Sequence, residues 1–169
     1  MLMLGDAPLN AIYKWLYYLP PGEFVRNSNW AWPILESFHF GGMAVLVGVV
    51  GLFDLRLLGF ARGVPVLALH RLIPLGVAGF VVNLLTGYCF LTAMPYQYVF
   101  NSAFHFKVVF LGIAGLNVLV FYSSTFWRLA KLDSTGPPPL AARLAGAVSL
   151  CAWIGVMAAG RLLTFFRPI

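Results

Sequence analysis

Two histidines, His39 and His105, each lie a few residues inside the start of a long apolar segment. A neutral imidazole offers one lone pair to a metal. Two of them at one depth on facing helices are what axial ligation of a haem iron requires. An ionisable side chain inside an apolar helix is costly, and is a functional candidate on that ground alone. His39 follows Pro33 by six residues, and His105 follows Asn101 by four. At 1.5 Å per residue, both rings are expected roughly 5–10 Å inside the same boundary.

The surroundings fit that chemistry. Gly42 is three residues after His39 and Gly112 is seven after His105, spacings that keep each on its histidine's helix face. Small residues there would let a flat macrocycle approach. Arg161 sits at the matching end of the last apolar segment, suited to pair with haem propionates. Lys107, two residues after His105, turns to a different face. Glu36, three residues before His39, is placed to orient the ring by a hydrogen bond. Met43, one turn after His39, brings sulfur, so copper(I) held by His39, Met43 and His105 is a competing chemistry. His70 has no histidine counterpart at its depth, so one haem is expected and not two. Asp54 places a carboxyl inside an apolar segment and calls for a partner such as Arg71 or Arg143.

The elements that must carry these residues follow from composition. Of 169 residues, 61% are hydrophobic and 9% charged, and the mean hydropathy is +0.87. A water-soluble domain of this size cannot hide so much apolar surface, so an integral membrane protein is predicted. The net charge of +6 comes from basic residues scattered at segment ends, a topology signal with no nucleic-acid patch. Cys89 and Cys151 both fall in apolar stretches and read as packed thiols. No basic leader precedes a long apolar core, so no cleaved signal peptide is expected.

Residues 1–32 form an N-terminal interfacial segment. Ala11 to Leu19 reads as a short interfacial helix stopped by Pro20 and Pro21, with Trp30 and Trp32 at the membrane surface. Residues 33–169 hold four spanning helices: Pro33 to Leu58, Pro65 to Ala93 with a kink at Pro74, Ser102 to Trp127, and Leu140 to Phe165. Short loops imply an antiparallel four-helix bundle. Arg56, Arg62, Arg71, Arg128, Lys131 and Arg143 flank the first and third loops, while Met94 to Asn101 carries no Lys or Arg. The positive-inside rule then puts both termini, His39 and His105 on the periplasmic side. Asn83, Thr86 and Asn117 are polar mid-helix positions suited to interhelical hydrogen bonds.

The motifs W-P-I-L-E-S-F-H (Trp32 to His39), D-L-R-L-L-G (Asp54 to Gly59) and N-S-A-F-H-F-K (Asn101 to Lys107) carry a resemblance. Pro74, Gly79-Phe80, Thr86-Gly87, Asn117 and Gly160-Arg161 extend it over nearly all of Trp32 to Arg161. The chain resembles an uncharacterised family of bacterial four-helix membrane proteins. More distantly it is similar to the four-helix haem-b cytochrome superfamily, which includes the CopD-like copper-resistance membrane proteins. That resemblance implies histidine-bound haem, with His39 and His105 as the axial pair. Two-haem members need four ligands, whereas this chain has three histidines.

The expectation is therefore a bacterial inner-membrane, all-α protein with one bis-histidine haem b near its periplasmic face. It would be an electron-transfer subunit more than a stand-alone enzyme, working with a membrane quinol or a periplasmic redox protein. The alternatives are a non-redox accessory or assembly subunit of a larger membrane complex, and a copper-handling membrane protein.

Overall fold

The computed structural model describes residues 7–131 and 137–166. Among these residues the fold is all α. Helix α1 (Ala7–Tyr17) is followed at once by α2 (Pro20–Asn27). Pro20 and Pro21 do stop the first helix, but they also open a second one. Proline lacks the N–H that a first helical turn leaves unpaired, and its fixed φ suits that turn.

Helix α3 (Ala31–Leu58) is 28 residues long and ends at Gly59, whose φ of +102° is a left-handed cap. The next expected segment divides into α4 (Val66–His70) and α5 (Ile73–Ala93). Pro74 cannot give the helical hydrogen bond to the His70 carbonyl, so the chain turns at Arg71 and Leu72. It restarts with proline in the first turn. The expected kink is thus a break. A short α6 (Pro95–Val99) leads to α7 (Ser102–Val120). Asn101 starts α7 with its side-chain oxygen accepting the Ala103 N–H at 2.9 Å, and its amide donates to the Leu163 carbonyl at 3.1 Å. A π-helical turn, Phe121–Thr125, joins α7 to α8 (Phe126–Lys131). Helix α9 (Leu140–Leu162) completes the set.

Four helical stretches are long and apolar enough to cross a membrane: Ala31–Leu58, Val66–Ala93, Ser102–Thr125 and Leu140–Leu162. The shortest, 23 residues, extends about 35 Å, more than the ~30 Å hydrocarbon core.

Helix α3 packs against α5 on one side and α9 on another, and α9 also packs against α7. Glycines set the close crossings. A Cβ on Gly79 would lie 2.7 Å from the Gly42 carbonyl oxygen, so α3 and α5 touch backbone to backbone. A Cβ on Gly146 would lie 2.9 Å from the Asp54 carbonyl oxygen, which brings α9 onto α3. Helix α5 has no extensive contact with α7.

At the Asp54 end, Phe53, Leu57, Val66, Phe121, Phe126, Leu129 and Ala142 form one buried cluster. At the His39 end, Val25, Ala31 and Ala93 form a second, flanked by Trp32, Leu35 and Cys89. There Arg26 ties α2 to the end of α5, donating to the carbonyls of Thr92 at 2.8 Å and Ala93 at 3.2 Å. Its other nitrogen reaches the Tyr17 carbonyl at 2.9 Å. These bonds satisfy carbonyls that a helix end leaves open. Outward faces stay apolar: Leu84, Leu85, Leu116 and Leu119 are all exposed, a surface that needs lipid or another protein to cover it.

Candidate functional site

His39 lies in α3 where that helix meets α5. Its Nδ1 is 2.7 Å from the Thr86 hydroxyl oxygen. Thr86 in turn donates to the Val82 carbonyl one turn back, also at 2.7 Å. A hydroxyl has a single proton. With that proton committed to Val82, the Thr86 oxygen accepts from His39 Nδ1–H. The network assigns the tautomer: Nε2 keeps the lone pair. Phe90 meets the ring edge-on at 5.6 Å between centroids, and Trp32 lies 4.7 Å beyond Phe90. Across α5, a Cβ on Gly87 would lie 3.8 Å from His39 Cε1, ordinary contact. The ring is thus half-buried, held by α5, and directed by a hydrogen bond on the far nitrogen. Metal-binding histidines are commonly fixed in this way.

Thr86 takes the place expected for Glu36. Glu36 is exposed, and the group its charge acts on is Tyr98 in α6. Tyr98 is pushed up to about 12, first by burial and then by the Glu36 carboxylate.

The second histidine has a different partner. His105 is exposed, and its Nε2 donates to the Val99 carbonyl at 2.9 Å. A carbonyl only accepts, so the His105 lone pair is on Nδ1. His39 engages α5 and His105 engages α6, so the two rings are held by different elements. Two residues along a helix is a rotation of about 200°, and the inward position on α7 belongs to Lys107. Lys107 is half-buried. Its ammonium acts on the His39 ring through space, and Nζ lies 4.0 Å from where a Gly160 Cβ would be. Among the described residues it makes no hydrogen bond or ion pair.

The remaining expected site residues sort by contact. Gly42 serves the crossing of α3 with α5: a Cβ there would meet Asn83 Nδ2 at 2.7 Å and the Gly79 carbonyl at 2.9 Å. Its face is filled by protein. Gly112 has nothing within 4 Å of a Cβ. Arg161 is exposed, one residue from Gly160, at the same end as Lys107. Among the described residues no three His, Cys, Asp or Glu converge on one point. Of the two cysteines, Cys89 is half-buried and Cys151 is exposed, so Cys151 is not a packed thiol.

At the other end His70 stacks on Phe126 at 4.4 Å, with Tyr122 at 5.8 Å. Asn117 donates to the Ala145 carbonyl at 3.0 Å and so ties α7 to α9. Asn83 bonds within its own helix, to the Gly79 carbonyl at 2.9 Å.

What the His39 end offers is one directed imidazole lone pair beside the Lys107 ammonium, which has no carboxylate partner among the described residues. The spacing argument found the imidazole. The ammonium was visible as a residue on a different face from His105, but nothing in a helix apolar on all sides marked that face as the inner one. No family model, curated protein or solved structure matches this chain.

Proposed function

We propose that this chain is a bacterial inner-membrane protein whose four long helices span the bilayer as an antiparallel bundle. In this reading its termini and the His39 end face the periplasm, and α1 and α2 lie at the membrane surface. We propose further that it is a redox subunit holding one b-type haem, with His39 as axial ligand through Nε2. The observation that carries this reading is the His39–Thr86 hydrogen bond at 2.7 Å, which leaves Nε2 without a partner among the described residues.

His39 supplies one nitrogen suited to hold haem iron. His105 already donates from Nε2 to the Val99 carbonyl, so as second ligand it would use Nδ1, or Nε2 on giving up that carbonyl. Bound haem would supply a one-electron couple for a quinol or a periplasmic redox protein. The protein's own contributions are specific. Thr86 holds the His39 proton on Nδ1. Phe90 and Trp32 keep water from one side of the ring. Lys107 sets a positive charge beside it, available to an anionic group such as a propionate, with Arg161 further out on the exposed face.

The test is haemin titration of the purified, detergent-solubilised chain. Parent protein should bind about one equivalent, and His39→Ala none. His105→Ala decides the second ligand: loss of the low-spin spectrum keeps His105 in the site, and an unchanged spectrum removes it. A second reading, an accessory subunit of a larger membrane complex, draws on the α3 face at Gly41, Gly48 and Gly51, which has nothing packed on it. No haem binding by the parent chain favours that reading.

A further inference from the structure

At the opposite end from His39, a carboxyl lies buried without a counter-charge among the described residues. Asp54 is 3% exposed, and its Oδ2 has no hydrogen-bond partner among the described residues. It sits one turn before the Gly59 cap of α3, where Gly146 lets α9 close onto the Asp54 backbone. The polar group facing it is the hydroxyl of Ser149, itself 5% exposed.

The ion-pair latch expected from the sequence is not formed among the described residues. Arg71 and Arg143 are exposed. Arg56, two residues on, sends Nε to the Val64 carbonyl at 2.8 Å. Arg62 sends its own Nε to the Gly59 carbonyl at 3.0 Å. His70 is turned onto Phe126, and the Tyr122 hydroxyl is buried with no hydrogen-bond partner among the described residues. No described cation therefore reaches Asp54.

A buried carboxylate with an unsatisfied oxygen and no counter-charge is held at a cost of several kcal/mol. A proton removes the charge and makes the orphaned oxygen a donor, and helix interfaces are rich in carbonyl acceptors. We propose that Asp54, with Ser149 beside it, is an intramembrane proton-binding site reached from the α3 C-terminal face. It rests on the membrane placement of the helices and not on haem. It gives the chain a second polar centre, at the end opposite His39.

The experiment is infrared spectroscopy of the full-length chain in detergent near neutral pH, with Asp54→Asn and Ser149→Ala as variants. A carboxylic-acid C=O band is expected in the parent and absent from Asp54→Asn. It should shift in Ser149→Ala and move on exchange into heavy water. Carbon-13 labelling of aspartate gives an independent readout should Asp54→Asn fail to fold, since the only other aspartates are Asp6 and Asp133. A band that neither the variant nor the label changes, or a carboxylate band for Asp54, overturns the proposal. Either result leaves the haemin titration unaffected, so the two readings fail separately.

Discussion

The crossing of α3 with α5 can be tested by one methyl group. A Cβ on Gly79 would lie 2.7 Å from the Gly42 carbonyl oxygen and 3.0 Å from the Leu46 nitrogen, whereas ordinary contact begins at 3.4 Å. Both obstacles are backbone, so neither can swing aside. Gly79→Ala must therefore push the helices apart by about 0.7 Å, and such overpacking costs roughly 1–3 kcal/mol. For a chain of this size that is a fall of roughly 2–12 °C in the unfolding midpoint. The same displacement stretches the His39–Thr86 bond from 2.7 Å to about 3.4 Å, beyond the usual N–H···O range. The control is Gly48→Ala, where a Cβ meets nothing within 4 Å. The assay is thermal unfolding in detergent, followed by a thiol-reactive dye on half-buried Cys89. Exposed Cys151 is replaced by serine, because it would react in the folded state. Gly79→Ala should melt well below both parent and Gly48→Ala. Equal midpoints for the two alanine variants would refute the backbone-to-backbone crossing.

Other perturbations have defined signs. Lys107→Met removes a half-buried ammonium with no ion-pair partner among the described residues, so the haem-free chain should melt higher by several degrees; a lower midpoint would mean that Lys107 is paired. Thr86→Val deletes the acceptor for His39 Nδ1 and should lower haemin affinity about tenfold or more, with Thr86→Ser restoring it; full affinity in the valine variant would separate the hydrogen bond from the site. Asn101→Ala loses both the α7 cap and the tie to Leu163, and should cost roughly 1–2 kcal/mol in an unfolding titration; a neutral result would contradict the cap. Tyr98 has a folded value of about 12 against an ordinary 10. Its share of stability is therefore intact below the unfolded value and is lost as pH rises towards the folded one. Tyr98→Phe should flatten the alkaline fall in melting temperature over that window, and an unchanged fall would remove Tyr98 as its cause.

Much of the architecture was legible because apolar length is a strong signal. Each of the four expected segments has its helix, and Gly59 ends α3 in the left-handed cap that glycine favours. Prolines were harder to read. Pro20–Pro21 stop a helix as expected and Pro74 breaks one where a kink was expected, yet each also begins a helix, because the first turn does not need the missing N–H. Site residues were legible in kind more than in partnership. His39 and the interhelical duty of Thr86 both follow from polar groups in apolar segments, but their pairing needs the rotation of α3 against α5. The inward face of α7 could not be read, since that helix is apolar nearly all round. A two-residue offset separates His105 from Lys107 and leaves open which of them turns inward. The orphaned oxygen of Asp54 was hidden for a related reason: Arg71 and Arg143 looked available, and both side chains are exposed.

Whether His39 offers its Nε2 to a haem iron, as proposed above, is read directly from the visible spectrum. Protein purified from haem-supplemented cells should give a dithionite-reduced minus air-oxidised spectrum with a sharp b-type α band. Pyridine haemochrome should count about one haem per chain, and His39→Ala should abolish both. A preparation that stays colourless, or a His39→Ala variant that keeps its full haem, would contradict the account.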